Sequence, residues 1–181
     1  GWTKRKEAKK FAPVGYYKWD KNKKYAEKNV GKLKNDILIV TSALPRYTGF
    51  IYAGDLSCSQ WVRYFQELSL LINNIDDYLH EQIIIRIYVH DYGLDQINRW
   101  TDAFPKIRID RAEISITEAM KSTKLFVATY NGTTYLEAFV HDTPTVMYWN
   151  PKYWELNDEA TPYFEKLKEV KIFHDTPQSL A

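Results

Sequence analysis

Short apolar runs alternate with helical segments along most of this chain, and that alternation constrains its fold more than any other feature. The first run, residues 36–43, is almost entirely apolar, which is typical of a strand covered on both faces. Strands that alternate with helices form βαβ units with a parallel sheet. The pattern therefore predicts an α/β fold, a Rossmann-like three-layer sandwich with a mainly parallel sheet of about six strands. The predicted strands are residues 36–43, 83–90, 106–110, 124–129, 144–149 and 170–174.

Apolar spacing and capping motifs mark the helices between these strands. From Trp61 to Leu79, apolar residues recur at alternating steps of four and three, which indicates a helix with one buried face. Ser57 with Gln60, and Ser115 with Glu118, have the spacing of a capping box at a helix start. Further helices are predicted at residues 95–102, 135–140 and 158–169.

Composition is typical of a soluble globular protein. The 181 residues are 45% hydrophobic and 27% charged, which is enough for one buried core and excludes a mainly disordered chain. No apolar run approaches the roughly 20 residues that span a bilayer, and the N-terminus lacks the apolar core of a signal peptide. The single cysteine, Cys58, forms no internal disulfide, and no Cys or His residues have zinc-ligand spacing. We therefore expect a cytoplasmic protein with no bound metal.

The net charge of +2 hides a basic N-terminal extension, residues 1–35, before the predicted domain at residues 36–181. Residues 1–34 hold twelve Lys or Arg against three acidic residues, which leaves the rest of the chain acidic. The aromatic residues interleaved with these charges would suit nucleic acid or an anionic membrane surface. A solvated extension that packs its aromatics on the domain explains the same pattern. We favour the second interpretation, expect no nucleic-acid partner, and leave open peripheral contact with the inner face of the cytoplasmic membrane.

Candidate site residues follow the predicted strands, because ligands of open α/β sheets bind beyond the carboxyl ends of the strands. Arg46 lies in a long loop after the first strand, where it would close over a ligand or remain solvated. The candidates at these ends are Thr41, Ser42, Arg46, His90, Asp91, Asp110, Arg111 and residues 129–134 and 149–153.

The most informative segment, residues 129–137, runs from a strand through a small, hydroxyl-rich turn into a helix. A helix start offers free amides to phosphate, Gly132 lets the backbone approach closely, and Thr133 and Thr134 add hydroxyls. The segment is neither a Walker A loop nor a Gly-x-Gly-x-x-Gly fingerprint. The alternative is structural, with Thr134 and Glu137 forming a third capping box.

Two further positions allow both a catalytic and a structural interpretation. Arg86 lies in the second predicted strand, where a buried guanidinium needs a partner; it would stabilise a leaving group or pair with a structural carboxylate. His90, at the strand end, would contact phosphate, act as an acid, or only cap a loop.

The aromatic cluster at Tyr148, Trp149, Tyr153 and Trp154 would stack on a sugar or base, or anchor a domain interface. We favour the interface. Asp142, before Pro144, is interpreted as a turn former.

Several motifs resemble the C-terminal, nucleotide-binding half of GT-B glycosyltransferases and of CDP-glycerol glycerophosphotransferase-like enzymes. The nearer resemblance is to the LIC12162-type family of surface-carbohydrate (O-antigen) transferases. It covers about residues 36–181. The motifs that carry it are Ile87-Tyr-Val-His-Asp-Tyr-Gly93 with Arg99-Trp100, Ala119-Met-Lys-Ser-Thr-Lys-Leu125, Gly132-Thr-Thr-Tyr-Leu-Glu137 with Asp142-Thr-Pro-Thr-Val, and Ile172-Phe-His-Asp-Thr-Pro177.

The resemblance implies a donor-binding domain that takes a sugar from a nucleotide-activated donor in surface polysaccharide synthesis. The turn at 131–134 would hold the donor phosphates, Glu137 the ribose hydroxyls, and Asp110 with Arg111 would border the base. Together with the candidates at the strand ends, the predicted binding residues are Ser42, Asp110, Thr129, Asn131, Gly132, Thr133, Thr134 and Glu137, and the predicted catalytic residues are His90, Arg86 and Arg46.

Such enzymes need no metal for the leaving diphosphate and use helix dipoles and cationic side chains instead. No cofactor beyond the donor is expected. A glycan or lipid-linked acceptor would be held mainly by an N-terminal domain outside this sequence, which would also supply the catalytic base. The alternatives are a non-catalytic nucleotide- or anion-binding or interaction domain, and a polyol-phosphate transferase of the CDP-glycerol type.

Overall fold

The computed structural model describes residues 36–43 and 58–181. The basic extension and Arg46 lie outside these residues, as does Ser57 of the first predicted capping box. The strands are β1 (Ile37–Val40), β2 (Ile83–Arg86), β3 (Arg108–Asp110), β4 (Leu125–Ala128), β5 (Thr145–Tyr148) and β6 (Phe173–His174). The helices are α1 (Cys58–Asn74), α2 (Gln96–Ala103), α3 (Ile116–Lys121), α4 (Thr134–Val140), α5 (Thr161–Glu169) and α6 (Pro177–Leu180), with a 3-10 helix at Asp77–Gln82.

The six strands form one sheet in the order β3-β2-β1-β4-β5-β6, and every pair is parallel. This confirms the predicted Rossmann-like α/β fold. The chain builds β1 to β3 outward in one direction and then returns to place β4 on the other side of β1. The seam between β1 and β4 is therefore the topological switch point, the position at which such sheets bind ligands.

Alternating side chains of the strands pack against helices on both faces of the sheet. On one face Ile39 lies under α1, whose Phe65 contacts Trp100 of α2 with ring centroids 4.4 Å apart. On the other side of the core, Tyr135 of α4 and Phe164 of α5 both contact Trp149, which is fully buried. Burial on both faces explains why the strands are nearly continuous apolar runs.

Local details agree with the sequence in some places and depart from it in others. The capping box of Ser115 and Glu118 forms at the start of α3. The second strand ends at Arg86 rather than at residue 90, because the chain beyond Ile87 turns out into solvent. No helix among the described residues is both long enough and apolar enough to pass through a membrane.

Side chains tie the two strands of the switch point together at their carboxyl ends. The Thr129 hydroxyl donates to the Val40 carbonyl at 2.6 Å. Since that uses its one proton, the hydrogen bond between Tyr64 and Thr129 has the Tyr64 hydroxyl as donor. The same Tyr64 oxygen accepts from the Ser42 amide at 3.1 Å. Burial raises the pKa of Tyr64 well above its usual range, so the hydroxyl keeps the proton that this network needs.

Replacing Tyr64 by Phe should lower the free energy of unfolding by about 1–3 kcal/mol, because the Ser42 amide and the Thr129 oxygen lose a partner in the interior. Urea unfolding of the full chain measures this, with an unchanged m-value. Tyr78→Phe is the matched control, since that tyrosine is 73% exposed. Equal stabilities for the two variants would contradict the role of the network.

Candidate functional site

A cavity of about 190 Å³ opens at the carboxyl edge of the sheet beside the switch point. It lies where the ends of β1, β2 and β4 meet, because the register places Val40 opposite both Arg86 and Ala128. Its walls combine a charged group, hydroxyl groups and apolar surface. Its lining includes Val40, Arg86, Tyr88, Ile116, Tyr130 and Thr134.

Arg86 supplies the charge at this cavity, and its guanidinium is almost fully buried. It pairs with Asp110, its register partner on β3, at 2.6 Å, and it also donates to the Ile114 carbonyl. These contacts use two of the five N–H groups of a guanidinium. The pair matches the structural alternative for Arg86, yet the side chain also lines the cavity, where it can meet an anion.

The helix that follows β4 begins at this cavity without a side-chain cap. Thr133 occupies the N-cap position with helical backbone angles and makes no capping hydrogen bond. Thr134 is the first helical residue, and its buried hydroxyl has no hydrogen-bond partner in the described part of the chain. The alternative in which Thr134 and Glu137 form a capping box is therefore wrong. A buried hydroxyl without a partner is uncommon in folded proteins and calls for an explanation.

Gly132 has no unusual backbone angle, but a side chain at this position would displace the ring of Tyr130. A Cβ at this position would lie 2.4 Å from Cε2 and 2.9 Å from Cδ2 of Tyr130, which is closer than real Cβ contacts. The Tyr130 ring therefore folds back over the turn, where it forms part of the cavity wall. This is a reason for glycine that differs from the close approach of a phosphate.

The other residues predicted for the site lie around this cavity at different depths. Ser42 has both backbone groups engaged, its amide with Tyr64 and its carbonyl with the Trp61 indole at 3.2 Å. Thr129 is fully buried in the same network. Glu137 is buried inside α4, and Thr133 is exposed. Thr41, Arg86, Tyr130 and Thr134 are the predicted residues that line the cavity itself, within residues 36–43 and 58–181.

The loop after β2 presents three aromatic rings that the sequence analysis did not group. The rings of Tyr88 and Tyr92 stack with centroids 5.8 Å apart, and His90 lies 6.2 Å from the first and 5.7 Å from the second. His90 is exposed, and the predicted roles in phosphate contact or acid catalysis stay predictions. The available sequence signal was the spacing of Tyr88, His90 and Tyr92 directly after a buried strand.

Asp91 holds this loop against the start of α2. Its carboxylate accepts hydrogen bonds from the amides of Asp95 at 2.9 Å and Gln96 at 2.7 Å, whereas Asp95, the N-cap residue, makes no side-chain cap. Partial burial pushes the pKa of Asp91 up, but the hydrogen bonds from the backbone of Gln96 and Asp95 outweigh it and leave the pKa below its usual range.

The cluster at Tyr148, Trp149, Tyr153 and Trp154 belongs to the core. Tyr148, Trp149 and Trp154 are all buried, and the Tyr148 hydroxyl donates to Glu67 at 3.0 Å. These three rings form neither a stacking surface nor an exposed interface, so both interpretations made from the sequence are wrong for them.

A larger cavity of about 420 Å³ lies between the sheet and α1, near the amino ends of the strands. Its walls are mostly apolar, with Ile37, Ile39, Leu71 and Val127 among them. Because it lies away from the carboxyl edge, and because no Lys or Arg of residues 36–43 and 58–181 lines it, it is not the candidate site.

A comparison with protein families matches residues 1–181 to the LIC12162 family transferase. This chain belongs to that family. The match spans the whole chain, so the basic extension at residues 1–35, outside the expected range of the resemblance, is part of the family's sequence. No curated protein and no solved structure matches the chain. The assignment as a transferase therefore rests on family membership. The family description names no sugar donor, no GT-B relationship and no pathway.

Replacing Gly132 by Ala should destabilise the chain by about 1–3 kcal/mol, because the new methyl group and the Tyr130 ring cannot occupy the same space. A double-mutant cycle with Tyr130→Ala, followed by urea unfolding, isolates this effect. Most of the cost should disappear in the Tyr130→Ala background. An equal cost in both backgrounds would place the strain elsewhere.

Replacing Asp91 by Ala should weaken the start of α2 by about 1 kcal/mol, because two helix amides lose their acceptor. Amide hydrogen exchange at Asp95 and Gln96 measures this, with Asp102→Ala as a control that removes an exposed carboxylate from the same helix. Since folding lowers the pKa of Asp91, its contribution is complete above the unfolded value of about 3.9 and is lost as the pH falls through the lower folded value. If the protection of these two amides, measured relative to their intrinsic exchange rates, stays unchanged on this acidification, the assignment is contradicted.

Proposed function

We propose that this transferase chain binds a nucleotide-activated sugar, with the donor phosphate in the cavity at the switch point, and that it serves surface polysaccharide (O-antigen) synthesis. In this proposal it is the donor-binding, GT-B-like part of a metal-independent glycosyltransferase, and a glycan or lipid-linked acceptor meets it from another domain. The observation that carries the proposal is the cavity between β1, β2 and β4, lined by Arg86 and by Thr134 with its unused hydroxyl.

The chemistry of the cavity walls supports an anionic ligand. A phosphate oxygen accepts hydrogen bonds, and Thr134 offers a buried hydroxyl whose donor has no partner among the residues described. Arg86 adds a guanidinium held in place by Asp110, which is the kind of preorganised cation that stabilises a leaving phosphate without moving. Helix α4 has only seven residues, so Arg86 and Thr134 should contribute more to phosphate binding than the helix dipole does.

The geometry also limits what the neighbouring strand ends contribute. The Ser42 amide already donates to Tyr64, and the Thr129 hydroxyl already donates to Val40. A phosphate would have to break these bonds in order to use either group. The proposed contacts therefore concentrate on Arg86 and Thr134, while Asn131, Thr133 and Glu137 border the turn.

Calorimetric titration of the full chain with UDP, CDP, GDP and CMP tests this proposal. One nucleotide diphosphate should bind, and Thr134→Val should weaken its binding about tenfold to a hundredfold, because the loss of one hydrogen bond to a charged group is expected to cost about 1.5–3 kcal/mol. Thr101→Val is the matched control, since Thr101 is an exposed threonine on α2. This control should bind like the parent.

The outcomes separate the alternatives. Preference for a cytidine nucleotide would favour the polyol-phosphate transferase. Indifference to all four nucleotides would favour the non-catalytic interaction domain and overturn the proposal. If Thr134→Val and Thr101→Val weakened nucleotide binding equally, the nucleotide would not bind in the cavity.

A further inference from the structure

The exposed rings of Tyr88, His90 and Tyr92, here called the ring cluster, pack on one another and, within the described part of the chain, have no structural task that would place them in solvent. Tyr88 is 41% and Tyr92 38% exposed, although aromatic side chains gain most by burial. The two tyrosine rings lie within 22° of parallel, and His90 is tilted by 60° and 56° against them. Flat aromatic surface is thus offered to solvent on one short loop.

The backbone of this loop carries strain that the ring cluster requires. Tyr92 has φ of 53°, Gly93 of 78° and Asp95 of 52°, so three of four consecutive residues adopt left-handed angles. Only glycine does so freely, and a bulky residue such as Tyr92 pays a cost. The two hydrogen bonds to Asp91 hold the loop in this conformation. Local strain held by surrounding contacts is a feature of ligand sites.

The ring cluster adjoins the cavity of the proposed phosphate site. Tyr88 and Val89 form part of the cavity wall together with Arg86 and Thr134, and Tyr92 stacks on Tyr88 from the outside. A cavity of about 190 Å³ has room for a phosphate group but not for a whole nucleotide. The rest of such a ligand must therefore lie over the rim, where the rings are.

We propose that the ring cluster is a stacking platform for the base of the nucleotide whose phosphate enters the cavity. This rests on the proposed function and assigns the base to the loop after β2 rather than to Asp110 and Arg111. Base stacking on exposed aromatic rings is tolerant of base identity, so the platform contributes affinity more than selectivity. Asp91 is a positioning residue for this platform.

The test uses the full chain, the nucleotide diphosphate that binds among UDP, CDP and GDP, and inorganic pyrophosphate as a competitor without a base. Tyr92→Asn removes the ring, and Asn adopts left-handed angles more readily than Tyr, so the variant should keep the parent's unfolding midpoint. Its affinity for the nucleotide should fall about tenfold, whereas the inhibition constant of pyrophosphate should not change. Tyr78→Asn, which removes an exposed ring on the 3-10 helix, should leave both constants unchanged.

Proton NMR gives an independent readout. In the parent complex the base protons should shift upfield from stacking, and Tyr92→Asn should reduce that shift. Nucleotide binding that Tyr92→Asn leaves unchanged would overturn the platform while the proposed function stands. Equal weakening of nucleotide and pyrophosphate would also overturn it, because the effect would then act through the cavity. Failure of every nucleotide to bind would overturn both proposals.

Discussion

The guanidinium of Arg86 is a buried charge around which the carboxyl edge of the sheet is organised. A charge in the interior is tolerated only with a partner, and Asp110 lies opposite Arg86 in the strand register. The other carboxylate oxygen of Asp110 accepts the Ala112 amide at 2.8 Å, and Arg86 reaches the Ile114 carbonyl. The loop after β3 is thereby folded over the guanidinium, which places Ala112 and Ile116 on the cavity wall. One buried ion pair thus shapes one side of the site.

The ends of β1 and β4 are held by neutral hydrogen bonds instead. Tyr64 from α1 links the ends of β1 and β4 through Ser42 and Thr129. The Trp61 indole donates a hydrogen bond to the Ser42 carbonyl. Such a network holds the strand ends at a fixed separation because every group in it has a partner. The network thus fixes the ends of β1 and β4 beside the cavity, whose wall includes Val40, Arg86 and Thr134 with its unused hydroxyl.

The sequence predicted the layers of this fold well because buried strands and amphipathic helices have different periods. All six strands and helices α1 to α5 overlap the predicted segments, but β2 ends at Arg86 rather than at residue 90, and α1 ends at Asn74, so Leu79 lies in the separate 3-10 helix. Thr134 and Glu137 have the same spacing but form no capping box, because the helix begins one residue earlier than that motif requires. The rings of Tyr148 and Trp149 were expected at a surface, and periodicity does not distinguish a strand with one buried face from one with two. The stacking of Tyr88 on Tyr92 depends on left-handed backbone angles, which no residue pattern in the loop signals.

These features indicate that the strand ends contribute differently to ligand binding. Many Rossmann folds bind phosphate through a glycine-rich turn after β1. Here the first residues after β1 are Thr41, Ser42 and Ala43, and the Ser42 amide and carbonyl are both engaged by α1. An anion at this seam therefore gains little from Ser42, and among the described residues its contacts are with the ends of β2 and β4, where Arg86 and Thr134 lie. The strained loop after β2 then becomes the natural place for the rest of the ligand, since it extends from the same strand that supplies the charge.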